Sequence, residues 1–183
     1  MKFTLCQTVL KDGTTVIIRE ASLEDAREMR RVAKEFMEES EFIPCDKGEF
    51  QLSLQEEESW IKGFTDSPNS LLLVAEIAGH IVGNISLTGN ARKQLQHTAV
   101  VGIGMLRKVR GKGIGSLFFE SALQWVKSNP ILEILMLEVH ATNIAGIHLY
   151  QKYGFEKAGF LPENIKIDES EYVDTIIMRN KIK

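Results

Sequence analysis

The chain reads as an α/β protein, a mixed and strongly twisted sheet flanked by helices, with an extra β-hairpin at its N-terminal end. Three observations predict this. Strand-like and helix-like segments follow one another in the order β(β)αα βββ α β α ββ, which argues for an α/β sandwich. One strand runs straight into a glycine-rich turn that opens a helix, across residues 102–115. The length of 183 residues fits one domain, residues 1–183. A chain of that size buries about 70% of its unfolded surface, so it needs neither disulfide nor metal to fold.

Residues 3–10 and 14–20 are β-rich and flank Asp12-Gly13, a strong hairpin signal. The run Ser22-Leu23-Glu24-Asp25 reads as a capping box. Ala26, Met29, Val32, Ala33 and Phe36 follow at helical spacing, giving a helix of about 15 residues. Residues 39–52 mix Pro44, Gly48, several acids, Phe42 and Phe50, and are expected to form an exposed loop. Ser53 and Glu56 form a second capping box. Leu54, Ile61 and Phe64 mark the buried side of a second helix, which ends at residues 66–69.

Strands are expected at 71–77, 80–87 and 97–106, the first two joined by Ala78-Gly79. A helix over 113–128 carries Ile114, Leu117, Phe118, Ser121, Ala122 and Trp125 on one stripe. Pro130 separates it from a strand at 134–141. A short helix over 143–153 closes at Gly154, a natural C′ residue, and strands near 155–167 and 171–181 complete the sheet.

Composition excludes several classes. Hydrophobic residues make up 44% and charged residues 26%, ordinary values for a globular protein. Net charge is −3, with 22 basic against 25 acidic residues, so the basic excess of a general nucleic-acid binder is absent. Cys6 and Cys45 cannot build a disulfide framework and are expected to be reduced thiols. No apolar run approaches the roughly 18–20 residues that span a bilayer, and the N-terminus lacks the apolar run of a signal peptide. The expected location is the cytoplasm, with no membrane or nucleic-acid partner. His80, His97, His140 and His148 have no metal-ligand spacing, so no metal is expected.

The chemistry centres on Gly102-Ile103-Gly104-Met105-Leu106-Arg107-Lys108-Val109-Arg110-Gly111-Lys112-Gly113-Ile114-Gly115. A strand, a glycine-rich turn and a helix start are the parts of a phosphate site. The first N–H groups of a helix lack internal partners, its dipole is positive there, and glycines let the backbone close on an anion. Arg107, Lys108, Arg110 and Lys112 add four cations. The Walker A pattern fails, because no Gly-Lys-Ser/Thr ends a six-residue loop. The dinucleotide fingerprint fails as well, with Arg107 or Phe118 where its third glycine belongs.

A second signal lies downstream. Leu137-Glu138-Val139-His140-Ala141-Thr142-Asn143 leads into Ala145, Leu149-Tyr150, Lys152 and Gly154-Phe155. Together with Arg110-x-x-Gly113-x-Gly115, this closely resembles the GNAT superfamily of acetyl-CoA-dependent N-acyltransferases. The element order matches over about residues 14–181, and the specific motifs lie in residues 103–155. The resemblance implies a GNAT-type fold and acetyl-CoA as co-substrate. It implies that the N–H groups of Arg110, Gly111, Lys112, Gly113, Ile114 and Gly115 hold the pyrophosphate, and that Ile103, Gly104 and Met105 pair with the pantetheine arm as an added strand would. Asn143 would hydrogen-bond the pantetheine, and Tyr150 would protonate the departing thiolate. A proline often found in the strand-to-turn link is Arg107 here. The Leu-Glu-Val strand and the Asn-to-Tyr interval look most like ribosomal-protein alanine N-acetyltransferases, which would make Glu138 the general base.

Each of these residues has a plainer reading. Tyr150 shares a helix face with Ile144 and Ile147 and would serve as a core aromatic. Asn143 would be an N-cap, a role compatible with ligand binding. Glu138 alternates with Met136 and His140 and would be an ion-paired strand carboxylate. The acids Glu35, Glu38, Glu39, Glu41 and Glu56 to Glu58 border the expected acceptor groove, where they would attract a cationic amine or simply form a solvated face.

The expected reaction is acetyl transfer to a primary amine (a small amine, a polyamine or a peptide α-amine) by direct attack in a ternary complex. Neither cysteine falls in a motif, so no covalent enzyme intermediate is expected. The alternative is a non-catalytic acyl-CoA-binding or regulatory protein on the same fold, against which Asn143 and Tyr150 both argue. The partner is a small-molecule or peptide amine, with a homodimer left open.

Overall fold

The computed structural model describes residues 3–46 and 48–183. Eight strands form one mixed sheet: β1 (Cys6–Val9), β2 (Thr15–Glu20), β3 (Leu71–Ile77), β4 (His80–Gly89), β5 (Thr98–Met105), β6 (Ile134–His140), β7 (Glu156–Lys166) and β8 (Tyr172–Lys181). Four α-helices flank it: α1 (Ala26–Glu38), α2 (Leu54–Thr65), α3 (Ile114–Ser128) and α4 (Ile144–Lys152). The spatial order is β1-β2-β3-β4-β5-β6-β8-β7. Every neighbouring pair is antiparallel except β5 with β6. That parallel step needs a crossover, which α3 supplies.

Local chemistry explains the turns. Gly13 in the first hairpin has φ +84°, and the β3–β4 turn places Ala78 and Gly79 at φ +50° and +81°, as a tight primed turn requires. The helix expected from Ser22 onward is divided. A 3-10 turn, Leu23–Asp25, precedes α1, and the Ser22 N–H donates to the Asp25 carboxylate at 2.7 Å. The second capping box forms as expected: the Glu56 N–H donates to Ser53 Oγ at 3.2 Å, and the Ser53 N–H donates to the Glu56 carboxylate at 2.7 Å.

Consecutive residues of β5 show how the layers lie. A Cβ on Gly104 would fall 2.3 Å from Phe36 of α1, whereas a Cβ on Gly115 of α3 would lie 3.6 Å from the Met105 side chain. Gly104 therefore faces α1, and Met105 faces α3 on the opposite side of the sheet. Phe118, Phe119, Leu135 and Phe155 fill the α3 side, and Met29, Val32, Phe36 and Ile61 fill the α1–α2 side.

One feature of the sheet positions the site. β5 and β6 pair only at Thr98–Ile134, Ala99–Leu135 and Val100–Met136. Beyond that, β4 holds β5 as far as Met105, and β8 holds β6 as far as His140. Each strand keeps its outer partner and loses its inner one, so the sheet opens as a wedge. Among the described residues, no helix is long and apolar enough to cross a membrane.

Candidate active site

At the mouth of the wedge, a 3-10 turn (Arg107–Val109) and an extended Arg110 lead from β5 to α3. Gly111 and Gly113 follow with φ +74° and +94°. Only glycine adopts these angles without strain. A Cβ at either position would point into open space, so the turn leaves a cradle that a side chain would fill. Gly113 is the N-cap of α3, and no side chain caps that helix. Its first N–H groups are thus available to an anion.

Three of the four cations of this turn have partners. The Arg107 guanidinium donates to the Glu39 carbonyl at 2.6 Å, and Arg110 Nε donates to the Met105 carbonyl at 3.1 Å. Lys112 Nζ lies 3.1 Å from the Asp12 carboxylate in the first hairpin. With these three committed, the uncapped backbone N–H groups are what the turn chiefly offers to an anion.

Inside the wedge, the Leu106 N–H donates to the Val82 carbonyl at 2.9 Å. Strand alternation then turns the N–H groups of Met105 and Ile103 away from β4, toward the gap. Across the gap, Leu137 and Val139 are buried while Glu138 is exposed on the opposite face of β6. Glu138 meets Ile177 of β8 through the backbone and has no ion pair among the described residues. The sequence-level alternative of an ion-paired carboxylate is not what the structure shows.

His140 shares that face and is 8% exposed. Its Nδ1 lies 2.8 Å from Thr142 Oγ1, and its ring meets Phe42 edge-on at 5.6 Å. Asn143 caps α4, its Oδ1 accepting the Gly146 N–H at 2.9 Å, which leaves its amide N–H groups unpaired among the described residues. Tyr150 lies seven residues on, about two helical turns, and therefore on the same side of α4. Its ring is 8% exposed and packs on Phe119 at 5.6 Å and Phe155 at 6.3 Å. The hydroxyl has no hydrogen-bond partner among the described residues. Burial pushes its pKa above the ordinary tyrosine value, so the phenol stays protonated. Tyr153 Oη donates to Glu120 at 2.7 Å and Lys152 Nζ donates to Ser116 at 3.2 Å, which ties α4 to α3.

On the α1–α2 face a cavity of about 580 Å³ adjoins β5. Asn84, Ser86 and Gly102 to Gly104 form its floor, and Phe36, Phe50 and Trp60 stand among its walls. The loop expected to be simply exposed contributes Ile43, Phe50 and Leu52 to this lining. Those apolar side chains have a surface to bury against that local sequence does not reveal.

The acids of this region also divide. Glu35 pairs with Arg31, Glu38 with Lys34, Glu39 accepts the Arg107 N–H, and Glu56 caps α2. Glu57 differs: it is 2% exposed and lines the cavity. Grouping it with Glu56 and Glu58 as a solvated face missed it. The usable signal was its place three residues after Leu54 and four before Ile61, on the apolar stripe of α2. Among the described residues no cluster of three or more potential metal ligands occurs.

Residues 29–155 match the acetyltransferase (GNAT) family. Over 163 residues the chain is 24% identical to an L-amino acid N-acetyltransferase of Escherichia coli (strain K12), covering 89% of this chain and 96% of that one. A solved acetyltransferase of the GNAT family from Streptococcus pneumoniae superposes with TM-score 0.87 at 31% identity, over 91% of this chain and 99% of that one. The Salmonella typhimurium protein yncA, solved with its cofactor acetyl-CoA, shares the fold at TM-score 0.79 and 15% identity, over 92% of this chain and 94% of that one. With the sheet order, the wedge and the uncapped turn already in view, this chain belongs to the acetyltransferase (GNAT) family of acetyl-CoA-dependent acyltransferases.

Proposed function

We propose that the protein moves an acetyl group from acetyl-CoA to a primary amine by direct attack in a ternary complex. The observation that carries this reading is the wedge. It leaves an unpaired edge on β5 from Val101 to Met105, one end of which runs into the uncapped glycine turn. An extended pantetheine arm fits that edge as an added strand would, and its pyrophosphate fits the N–H groups of residues 110–115. The donors present suit the ligand: N–H groups of Ile103 and Met105, the free amide of Asn143 and the cradle at Gly111 and Gly113. The Escherichia coli relative's name, an N-acetyltransferase, supports nitrogen as the acceptor atom.

In this reading the chain's own groups divide the work. The Met105 N–H faces the gap, where it would stabilise negative charge building on the thioester carbonyl oxygen. Tyr150, kept protonated by burial, gives its proton to the departing sulfur. Glu138 receives the amine's proton, directly or through one water. A lysine-type amine at pKa ~10.4 costs about 4 kcal/mol to deprotonate at pH 7.4, whereas an α-amino group at ~7.7–8.0 costs under ~1 kcal/mol. A carboxylate base demands less of the second kind of acceptor, whereas the acids around the acceptor groove suit a polycation.

The test is thermal shift with acetyl-CoA, CoA and ATP, followed by thiol release over an amine panel. Acetyl-CoA at 100 times its Kd should stabilise the fold by about 2.7 kcal/mol. A shift with ATP and none with acetyl-CoA or CoA would refute the reading.

A further inference from the structure

Among the described residues the Glu57 carboxylate has no hydrogen-bond or ion-pair partner, and it is held in a largely apolar cavity. It is 2% exposed, and no hydrogen bond or ion pair reaches it among the described residues. It opens into the cavity beside Phe36, Phe50, Leu52 and Trp60. Arg30, the nearest cation, acts on it only through its field. The Arg30 guanidinium donates instead to the Leu52 carbonyl at 3.0 Å. Glu56, the other acid of the lining, is committed to the Ser53 cap. A buried carboxylate costs free energy unless something cationic pairs with it. Among the described residues nothing does; burial raises the Glu57 pKa toward the neutral form, and a cation entering the cavity would favour the charged one.

Position narrows the ligand. Glu57 stands on α2, which packs over β3, while the wedge opens beyond β5. Strands lie about 4.8 Å apart, so β3 and β5 are separated by roughly 10 Å. Glu57 therefore stands at the α2 side of the cavity, over β3 rather than beside the strands that border the gap. It addresses the other end of the acceptor. The walls between are apolar, and among the described residues no lysine, arginine or histidine lines the cavity, so they offer no counter-charge to a carboxylate on the acceptor.

We infer that the acceptor is a diamine-like molecule: a primary amine at the wedge, an apolar spacer of roughly 10 Å across the cavity, and a second cationic group paired with Glu57. This rests on the transferase reading and names the substrate class for its site. It differs from the L-amino acid named for the Escherichia coli relative.

The test holds the spacer constant and changes the far end. With acetyl-CoA saturating, 1,7-diaminoheptane, heptylamine and 7-aminoheptanoic acid are compared as acceptors. The diamine should show the highest kcat/KM, at least tenfold above heptylamine, with the amino acid lowest. Glu57→Gln should raise KM for the diamine about tenfold to hundredfold, the usual size of one lost charge-assisted contact. It should leave the Kd for acetyl-CoA nearly unchanged. Equal use of the three acceptors, or an unchanged diamine KM in Glu57→Gln, would overturn the inference. Trp60 in the cavity wall gives a readout without turnover: its fluorescence should respond to the diamine in the wild type, and about tenfold or more weakly in Glu57→Gln. Acetyl-CoA binding by calorimetry separates the two readings. Its absence removes the transferase reading, whereas binding with no Trp60 response to the diamine removes only this one.

Discussion

The backbone N–H of Arg107 donates to the Glu39 carboxylate at 2.9 Å, and the Arg107 guanidinium returns to the Glu39 carbonyl at 2.6 Å. Glu39 begins the loop that helps line the cavity, and Arg107 begins the turn that leads to α3. The double contact therefore ties the proposed acceptor side of the site to its proposed phosphate side. Proline at this position has no N–H to give. Arg107→Pro should raise the amine KM several-fold and leave the acetyl-CoA Kd within about twofold, because the turn's own N–H groups are unchanged. Two-substrate steady-state kinetics would show the opposite pattern if the contact served the phosphates.

The Gly113 cradle should not tolerate a side chain. Its φ of +94° is unfavourable for any β-branched residue, and its Cβ would enter the space proposed for the pyrophosphate. Gly113→Val should weaken CoA binding by at least tenfold while circular dichroism reports a folded chain. Strain of the order of 1–3 kcal/mol at that residue is expected to lower Tm as well. Unchanged CoA affinity would make the turn structural only.

Tyr150 gives a kinetic prediction and a pH prediction. Tyr150→Phe keeps the contacts with Phe119 and Phe155 and removes the proton, so kcat should fall by about 10²–10⁴ while acetyl-CoA still binds. Burial raises the pKa of this phenol, and the protonated form is the active one, so its alkaline limit moves upward. Wild-type kcat should therefore show no loss from this group below about pH 10. A variant with near wild-type kcat, chemistry being rate-limiting, would assign Tyr150 to the core.

Much of this was legible in the sequence, for identifiable reasons. Gly13, Gly79, Gly113 and Gly154 all adopt the positive φ that makes glycine a marker of turns and caps. Ser53 with Glu56 and Asn143 with Gly146 are contacts over three residues, which local spacing encodes. Non-local features were harder to read. The Phe42–His140 contact crosses nearly a hundred residues, and the Lys112–Asp12 pair crosses 100. Glu57 shows the same limit in one side chain. A glutamate in the first turn of a helix is ordinary by local rules; its place on the apolar stripe of α2 hints at burial, and the packing of α1, α2 and the intervening loop completes it.

Acid should weaken the N-terminal half through Asp25. Arg19 donates to Asp25 at 2.8 and 2.9 Å and to Glu76 at 3.0 Å, joining β2, β3 and the entry to α1. Burial opposes ionisation of Asp25, but the Arg19 hydrogen bonds and charge, with the Ser22 N–H, outweigh it and hold its pKa below the ordinary value. The folded-state pKa is depressed, so this stabilisation is present above the unfolded value of ~3.9 and is lost as pH falls through the lower folded value. Asp25→Asn should cost about 1 kcal/mol at pH 7, roughly 2–4 °C in Tm. The difference from wild type should close below about pH 4. A constant difference from pH 7 to 3 would show that packing, not ionisation, accounts for the loss.

Glu138 is tested by where its loss appears. Leu137 and Val139, at 3% and 4% exposure, turn toward α3 and α4, so Glu138 turns to the α1–α2 face. β8 occupies its outer edge through Ile177, and its inner edge borders the unpaired part of β5. A carboxylate there, with no ion pair among the described residues, is positioned to take a proton from an amine entering between the strands. Glu57 stands on α2 over β3, away from the β5–β6 opening that Glu138 borders. The two acids should therefore fail differently. Glu57→Gln should act on acceptor KM, whereas Glu138→Gln should lower kcat by about 10²-fold, the low end for general-base help when water can substitute. The Glu138→Gln loss in kcat/KM should be largest at low pH, where the amine is hardest to deprotonate, and the acetyl-CoA Kd should stay nearly constant. A loss confined to KM, or one independent of pH, would place Glu138 with substrate binding and leave the proton to ordered water.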